Sequence, residues 1–258
     1  VSTLASWLRG LGRPAVFAHR GASRRGPENS LDALRLAARE GADGVEFDVQ
    51  RCASGELVVF HDRTLARCTG TLGTITETPL SVLRLLTLDR CAEHFGLPAN
   101  GERIPTLEEW LATAPEGLFL NLEVKVETVA ESVIAGACID ALERAGRGGH
   151  AVVSSFQPAA LLRVTHRAPD RGALVESGRG WRSRLAAGIL SRPAAVHPEA
   201  VLVDAARVRL WHGLGYKVAT WTVDEPDELR RVLDAGVDAV ITNRPDIARP
   251  IVELYRRA

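Results

Sequence analysis

Methionine is absent from the 258 residues, lysine occurs only at Lys125 and Lys217, and aromatic residues make up 5%. An excess of charge is also missing, because 32 basic side chains face 32 acidic ones. A zero net charge excludes a broad field that would draw nucleic acid or an anionic membrane, so any anionic partner must be held by a local cluster. No apolar run approaches the roughly 18 residues of a membrane span. The N-terminal VSTLASWLRGLGRP is too polar for the apolar centre of a secretion signal. The four cysteines, Cys52, Cys68, Cys91 and Cys138, lie far apart with no CxxC spacing, which excludes a zinc knuckle and a dense disulfide scaffold and predicts buried or free thiols. A cytoplasmic location is expected; because the chain starts at Val1 without a methionine, a removed leader and a secreted or periplasmic location stay open.

What is present is an ordinary globular composition, 46% hydrophobic and 25% charged, which excludes disordered and fibrous classes. Short β-rich runs alternate with amphipathic stretches along the whole chain, the rhythm of βα units on a parallel sheet. Strands are expected at 15–20, 44–51, 119–125, 151–156, 172–176, 194–196, 217–223 and 238–242, with an antiparallel return strand at 55–60 after Ser54-Gly55. Helices are expected after Ser30 as N-cap, from Pro105-Thr106, and at 127–145, 157–167, 181–191, 204–214, 225–235 and 246–257. The alternation fails between about 63 and 105, which reads as an insertion. Eight parallel strands with following helices predict an α/β fold, a single (β/α)8 TIM barrel over 1–258, with its active site at the C-terminal strand ends.

Polar residues at those strand ends are therefore the candidates for chemistry. Glu46 and Asp48 are two apart on a strand and project from one face, with Val45, Phe47 and Val49 on the other. Glu123 and Lys125 repeat this spacing on the next barrel strand. Carboxylates confined together are costly unless a cation or proton lies between them. Three carboxylates without a sulfur ligand favour one hard divalent ion, Mg²⁺ or Ca²⁺. An isolated pair of this kind is usually a half-exposed strand face or an ion pair, and a lone histidine is usually structural. The functional reading gains because His19, Arg20, Glu46, Asp48, His61, Glu123 and Lys125 all fall at predicted strand ends of consecutive units. The scattered His94, His150, His166, His197 and His212 lack partners at ligand spacing.

The segments AHRGASRRGPENSLDAL at 18–34 and GADGVEFDVQRCASGELVVFHD at 41–62 resemble the signature of the glycerophosphodiester phosphodiesterase family, and IPTLEEWL, LNLEVK, VVSSF and VATWTVDEPDELRRVLDAGVDAVITNRPD continue the likeness in order. The resemblance implies a TIM-barrel hydrolase that uses a divalent metal to split glycerophosphodiesters into an alcohol and glycerol 3-phosphate. It implies His19 and His61 as the general acid/base pair, Glu46, Asp48 and Glu123 as metal ligands, and Arg20 and Lys125 as phosphate contacts. Trp221 is either an apolar wall for the glycerol or a core tryptophan, and Phe156 and Gln157 have the same standing. Two histidines can exchange base and acid roles near neutral pH. The attacking hydroxyl is either the substrate's own glycerol 2-OH or water.

The chain departs from the common pattern at Ser54-Gly55, at Val126 and at Asn243 in Thr-Asn-Arg-Pro, which touches turn geometry and the last strand's loop. The expected partner is a small glycerophosphodiester, with no nucleic acid and no transmembrane segment, on a monomer or small homo-oligomer. Two rival functions are a lysophospholipase D-like activity on lipid head-group esters and a catalytically silent glycerophosphate-binding barrel. The stretch 179–192 has an amphipathic look and reads as a solvated exterior helix rather than a lipid contact.

Overall fold

A computed structural model of the chain describes residues 3–256 apart from 168–169, 179, 181–184 and 186–187. The strands are β1 (Ala15–His19), β2 (Gly44–Arg51), β3 (Leu57–Val59), β4 (Phe119–Val124), β5 (Ala151–Ser155), β6 (Asp170–Val175), β7 (Ala195–Pro198), β8 (Lys217–Thr220) and β9 (Ala239–Thr242). Every strand but β3 pairs in parallel with two neighbours, and β1 joins both β9 and β2, so the sheet closes into the expected (β/α)8 barrel. β3 is the antiparallel return on β2, with Val49 opposite Val59.

Side-chain alternation sorts each strand between two cores. Val45, Phe47 and Val49 of β2 and Leu120, Leu122 and Val124 of β4 face the outer helices, where they pack with Leu107, Trp110 and Cys138. Their neighbours in sequence face the barrel axis. At the bottom of the barrel, Phe17, Phe119, Val152, Ala195 and Ala239 meet Leu4 and Leu8 of an N-terminal helix, Leu4–Leu11, that the sequence reading did not anticipate. Trp7 of this helix stacks on Phe119 with centroids 4.3 Å apart. Burying Leu4 and Leu8 contributes about 2 kcal/mol each, so the helix acts as a plug on the face opposite the strand C-termini.

Helix starts follow capping chemistry. Ser30 Oγ accepts the Ala33 amide at the head of Leu31–Arg39. Thr106 and Glu109 form a reciprocal capping box at the head of Leu107–Thr113. The helix expected from 127 begins instead at Ile134, because the Glu131 carboxylate takes the amides of Glu127 and Thr128 and holds them in a loop. Residues 181–184 and 186–187 of the helix expected at 181–191, and residue 179 of the amphipathic stretch 179–192, lie outside the described residues.

Between β3 and Leu107 the chain forms short helices at Ala66–Thr69, Leu80–Leu83 and Asp89–His94 around a small core that includes Phe60, Leu65, Ile75, Leu83 and Ile104. This segment corrects the reading of the cysteines: Cys68 and Cys91 are joined by a disulfide, whereas Cys52 and Cys138 are free and buried. Their 23-residue separation in sequence concealed the pairing, because two short helices fold the chain back on itself there. Ser54 accounts for its own departure, since its hydroxyl accepts the Leu80 amide and ties the β2–β3 turn to this segment.

Candidate active site

Register brings the acidic residues together. His19 lies opposite Glu46 across β1 and β2, and Asp48 lies opposite Glu123 across β2 and β4. The three carboxylates are buried, with one oxygen from each lying within 4.8 Å of the others. Beneath them, Ser154 Oγ donates to Asn121 Oδ1 at 2.8 Å, a neutral polar layer between the carboxylates and the apolar plug.

The cations supplied by the chain are unevenly shared. Lys125 Nζ lies 2.6 Å from Glu123 Oε1 and 3.2 Å from Asp48 Oδ1. Arg20 Nε lies 3.3 Å from Asp48 Oδ2, and its Nη1 donates to Glu28 at 2.9 Å. Burial opposes ionisation of Asp48, but Lys125, His61 and Arg20, with the Asn29 amide donating at 2.8 Å, hold it well below the usual carboxylate range. Burial, then Asp48 and Glu123, push Glu46 well above that range. Burial and the Asp48 charge raise Glu123 against the pull of Lys125. Glu46 is therefore the carboxylate short of a cation. Arg20 Nε is buried and makes no hydrogen bond, although Asp48 Oδ2 lies 3.3 Å away.

The two histidines are held differently. His19 Nδ1 lies 2.7 Å from Asn243 Oδ1, and its Nε2 lies 3.9 Å from Glu46 Oε2. Burial first, and the neighbouring Arg20 guanidinium second, push His19 down to about 4, so it is neutral at pH 7. His61 Nδ1 is 2.7 Å from Asp62 Oδ1, and Arg67 grips Asp62 at 2.6 and 3.0 Å and Glu28 at 2.6 and 2.9 Å. Gln50 donates its amide to the carbonyls of Phe60, His61 and Asp62 and fixes the strand end that carries His61.

The loop after β1 makes this network possible. Arg20 and Asn29 adopt left-handed φ of 57° and 59°, and Gly21 sits at 81° with the Ala33 backbone 2.6 Å from where a Cβ would lie. Asn tolerates that conformation better than most residues, and only glycine fits at position 21. The Asn29 amide nitrogen is then turned onto Asp48.

A chamber of about 50 Å³ is lined by His19, Arg20, Glu46, His61, Glu123 and Lys125, with Phe156, Leu174, Trp221 and Ile241 as its apolar wall. Trp221 thus lines the chamber, edge-on to Phe156 at 5.5 Å, with Nε1 donating to His197 O. Gln157 turns away to the Glu127 carbonyl. The other lysine, Lys217, pairs with Asp238 at the opposite end of the barrel. Sequence reasoning missed Glu28, Asn29, Arg67 and Asn243, and gave Asp62, at the end of the return strand, no role. Glu28, Asn29 and Asp62 lie inside the quoted segments and Arg67 on the insertion, and Asn243 entered only as a departure from a pattern.

The glycerophosphoryl diester phosphodiesterase family model matches residues 19–247, nearly the whole barrel. The chain belongs to this family of phosphoric diester hydrolases. A glycerophosphodiester phosphodiesterase of Caldanaerobacter subterraneus subsp. tengcongensis is 34% identical over 94% of this chain and 98% of its own length. A Bacillus subtilis glycerophosphodiester phosphodiesterase is 27% identical over 94% of this chain and 88% of its own. Among solved structures, an Oleispira antarctica phosphodiesterase in complex with the product sn-glycerol-3-phosphate superposes with a TM-score of 0.81 at 29% identity, over 95% of this chain and 99% of that one. Among the described residues, no helix is long and apolar enough to cross a membrane.

Proposed function

We propose that the protein hydrolyses glycerophosphodiesters to an alcohol and glycerol 3-phosphate, with one divalent cation held by Glu46, Asp48 and Glu123 and with His19 and His61 as base and acid. The observation that carries this reading is the charge balance at the barrel mouth. The three carboxylates outnumber Arg20 and Lys125 by one, and a phosphodiester would add another negative charge. A divalent ion removes that deficit, and the all-oxygen donor set suits Mg²⁺ or Ca²⁺. When bound, such an ion supplies charge neutralisation and lowers the pKa of a hydroxyl next to it.

The remaining chemistry falls to the chain. Asn243 Oδ1 accepts from His19 Nδ1, so the lone pair of His19 sits on Nε2, the nitrogen on the carboxylate side, where it can take a proton from the attacking hydroxyl. That hydroxyl belongs either to the substrate glycerol or to water. Asp62 holds the His61 ring through Nδ1, which leaves Nε2 as the nitrogen that delivers a proton to the departing alkoxide. Arg20 and Lys125 bind the phosphoryl oxygens. The Trp221 and Phe156 rings beside them offer an apolar face to the C–H side of a glycerol arm.

His19→Ala and His61→Ala test this assignment. Each is expected to lower kcat for glycerophosphodiester hydrolysis by at least about a hundredfold, the scale of general acid/base catalysis, with the circular dichroism spectrum unchanged. A folded variant retaining full turnover refutes the assignment.

A further inference from the structure

Beside the small chamber lies a second and larger hollow. It has a volume of about 550 Å³ and shares two side chains with the chamber, His61 and Lys125. Its walls come from three places: the β2–β3 turn at Arg51–Gly55, Arg63 and Thr76 on the segment after β3, and Val126 to Ile134 after β4. The wall-forming turn is the one whose Ser54 hydroxyl is tied to Leu80, so the hollow is bounded by anchored backbone.

A phosphodiester has two ester arms. If the phosphate lies against Arg20 and Lys125 with glycerol in the chamber, as the proposed function holds, the other arm leaves past His61 and Lys125. That path opens into the larger hollow. We infer that this hollow is the subsite for the leaving alcohol, and that it takes a neutral, polyhydroxylated alcohol rather than a quaternary ammonium or an acyl chain.

The wall chemistry selects among these. No Phe, Tyr or Trp is among the residues that line the hollow, so it lacks the aromatic faces that bind a trimethylammonium group. Its charged lining holds Arg51, Arg63 and Lys125 against Glu127 and Glu131, with Arg63 Nη1 paired with Glu127 Oε2 and 4.0 Å from Glu131 Oε1. Glu131 Oε2 also accepts the Glu127 amide at 2.8 Å. A fixed cation would therefore meet no excess of negative charge there. Hydroxyl groups, which donate and accept, can use the guanidinium and carboxylate edges together. The aliphatic part of the lining, Val126 and Ile134, is too short a face for a lipid chain but matches the C–H face of a polyol.

The test uses the full chain loaded with Mg²⁺ or Ca²⁺ and four diesters of glycerol 3-phosphate, with methanol, choline, ethanolamine or inositol as the leaving alcohol. The inositol ester is expected to exceed the choline ester in kcat/KM by about tenfold, the scale of a few added or lost polar contacts. Ala53→Trp, at an exposed point of the wall, and Arg63→Gln are each expected to lower the inositol-to-methyl ratio of kcat/KM by roughly tenfold. A choline ester turned over as well as the inositol ester overturns the inference, as does an unchanged inositol-to-methyl ratio in both variants. Either result leaves the phosphodiesterase reading standing. Failure to hydrolyse all four esters removes both.

Discussion

Asp224 stands behind His19 without touching it, and replacing it by its isostere gives a sharp prediction. Asn243 is pinned at both ends: Oδ1 lies 2.7 Å from both His19 Nδ1 and Ser23 Oγ, and Nδ2 donates to Asp224 Oδ2 at 2.7 Å. The other carboxylate oxygen of Asp224 accepts the Asn243 amide at 2.8 Å and the Thr242 hydroxyl at 3.1 Å. In Asp224→Asn the new side-chain oxygen stays with those two donors, so its NH₂ group faces the NH₂ of Asn243. Rotating the Asn243 amide relieves that clash, but it then presents a donor to His19 Nδ1 and moves the imidazole proton to Nε2. The hydrogen bond to a charged acceptor that now prevents the rotation is worth about 2 kcal/mol. Losing that preference corresponds to a fall of roughly 30-fold in kcat, with KM changed less than about twofold, because the substrate contacts remain. Steady-state kinetics reads the rate, and ¹⁵N NMR of the His19 ring reads the tautomer. A kcat within about threefold of the parent, with His19 still protonated on Nδ1, refutes the positioning argument.

Two further predictions concern stability. His197 is buried, with no hydrogen-bond partner on Nδ1 and its ring 2.5 Å from where a Cβ on Gly172 would lie. Burial pushes it down to about 4. Between that value and the unfolded value near 6.5 the unfolded chain binds the extra proton, so stability falls as pH drops through this window, by up to about 3 kcal/mol. His197→Gln should flatten the pH 4–6.5 part of the urea-midpoint curve; an unchanged slope contradicts it. Removing a like charge should help the metal-free protein, since burial, Asp48 and Glu123 disfavour ionised Glu46. In chelator, Glu46→Gln should raise Tm by about 2–4 °C, for a gain near 1 kcal/mol, and should lose the further rise that Mg²⁺ or Ca²⁺ gives the parent. A lower Tm than the parent in chelator argues against electrostatic strain at Glu46.

The barrel was legible because its signal is periodic. Alternation in GVEFDVQR and FLNLEVK puts Glu46, Asp48 and Glu123 on the inner face whatever the rest of the chain does. Their meeting in one volume required the register between β2 and β4, which sequence spacing does not encode. The supporting residues were hidden for a related reason. Asn243 reaches His19 across 224 positions, and Arg67 reaches Glu28 across 39, so neither pairing leaves a local pattern. The plug helix Leu4–Leu11 is only eight residues, too short for periodicity to declare it. Its role depends on apolar rings supplied by β1 and β4. The helix expected from 127 failed locally, where the Glu131 carboxylate ties the Glu127 and Thr128 amides into a loop before the chain turns helical.

In the proposed function, three carboxylates at the barrel mouth hold a divalent ion for glycerophosphodiester hydrolysis. Glycerol 3-phosphate release from a glycerophosphodiester, measured on chelator-stripped protein while Mg²⁺ or Ca²⁺ is added back, tests it most directly. Activity should be absent from the stripped protein, return with the added ion, and fail to return in Glu46→Gln or Glu123→Gln. Full glycerol 3-phosphate release in excess chelator would contradict the account.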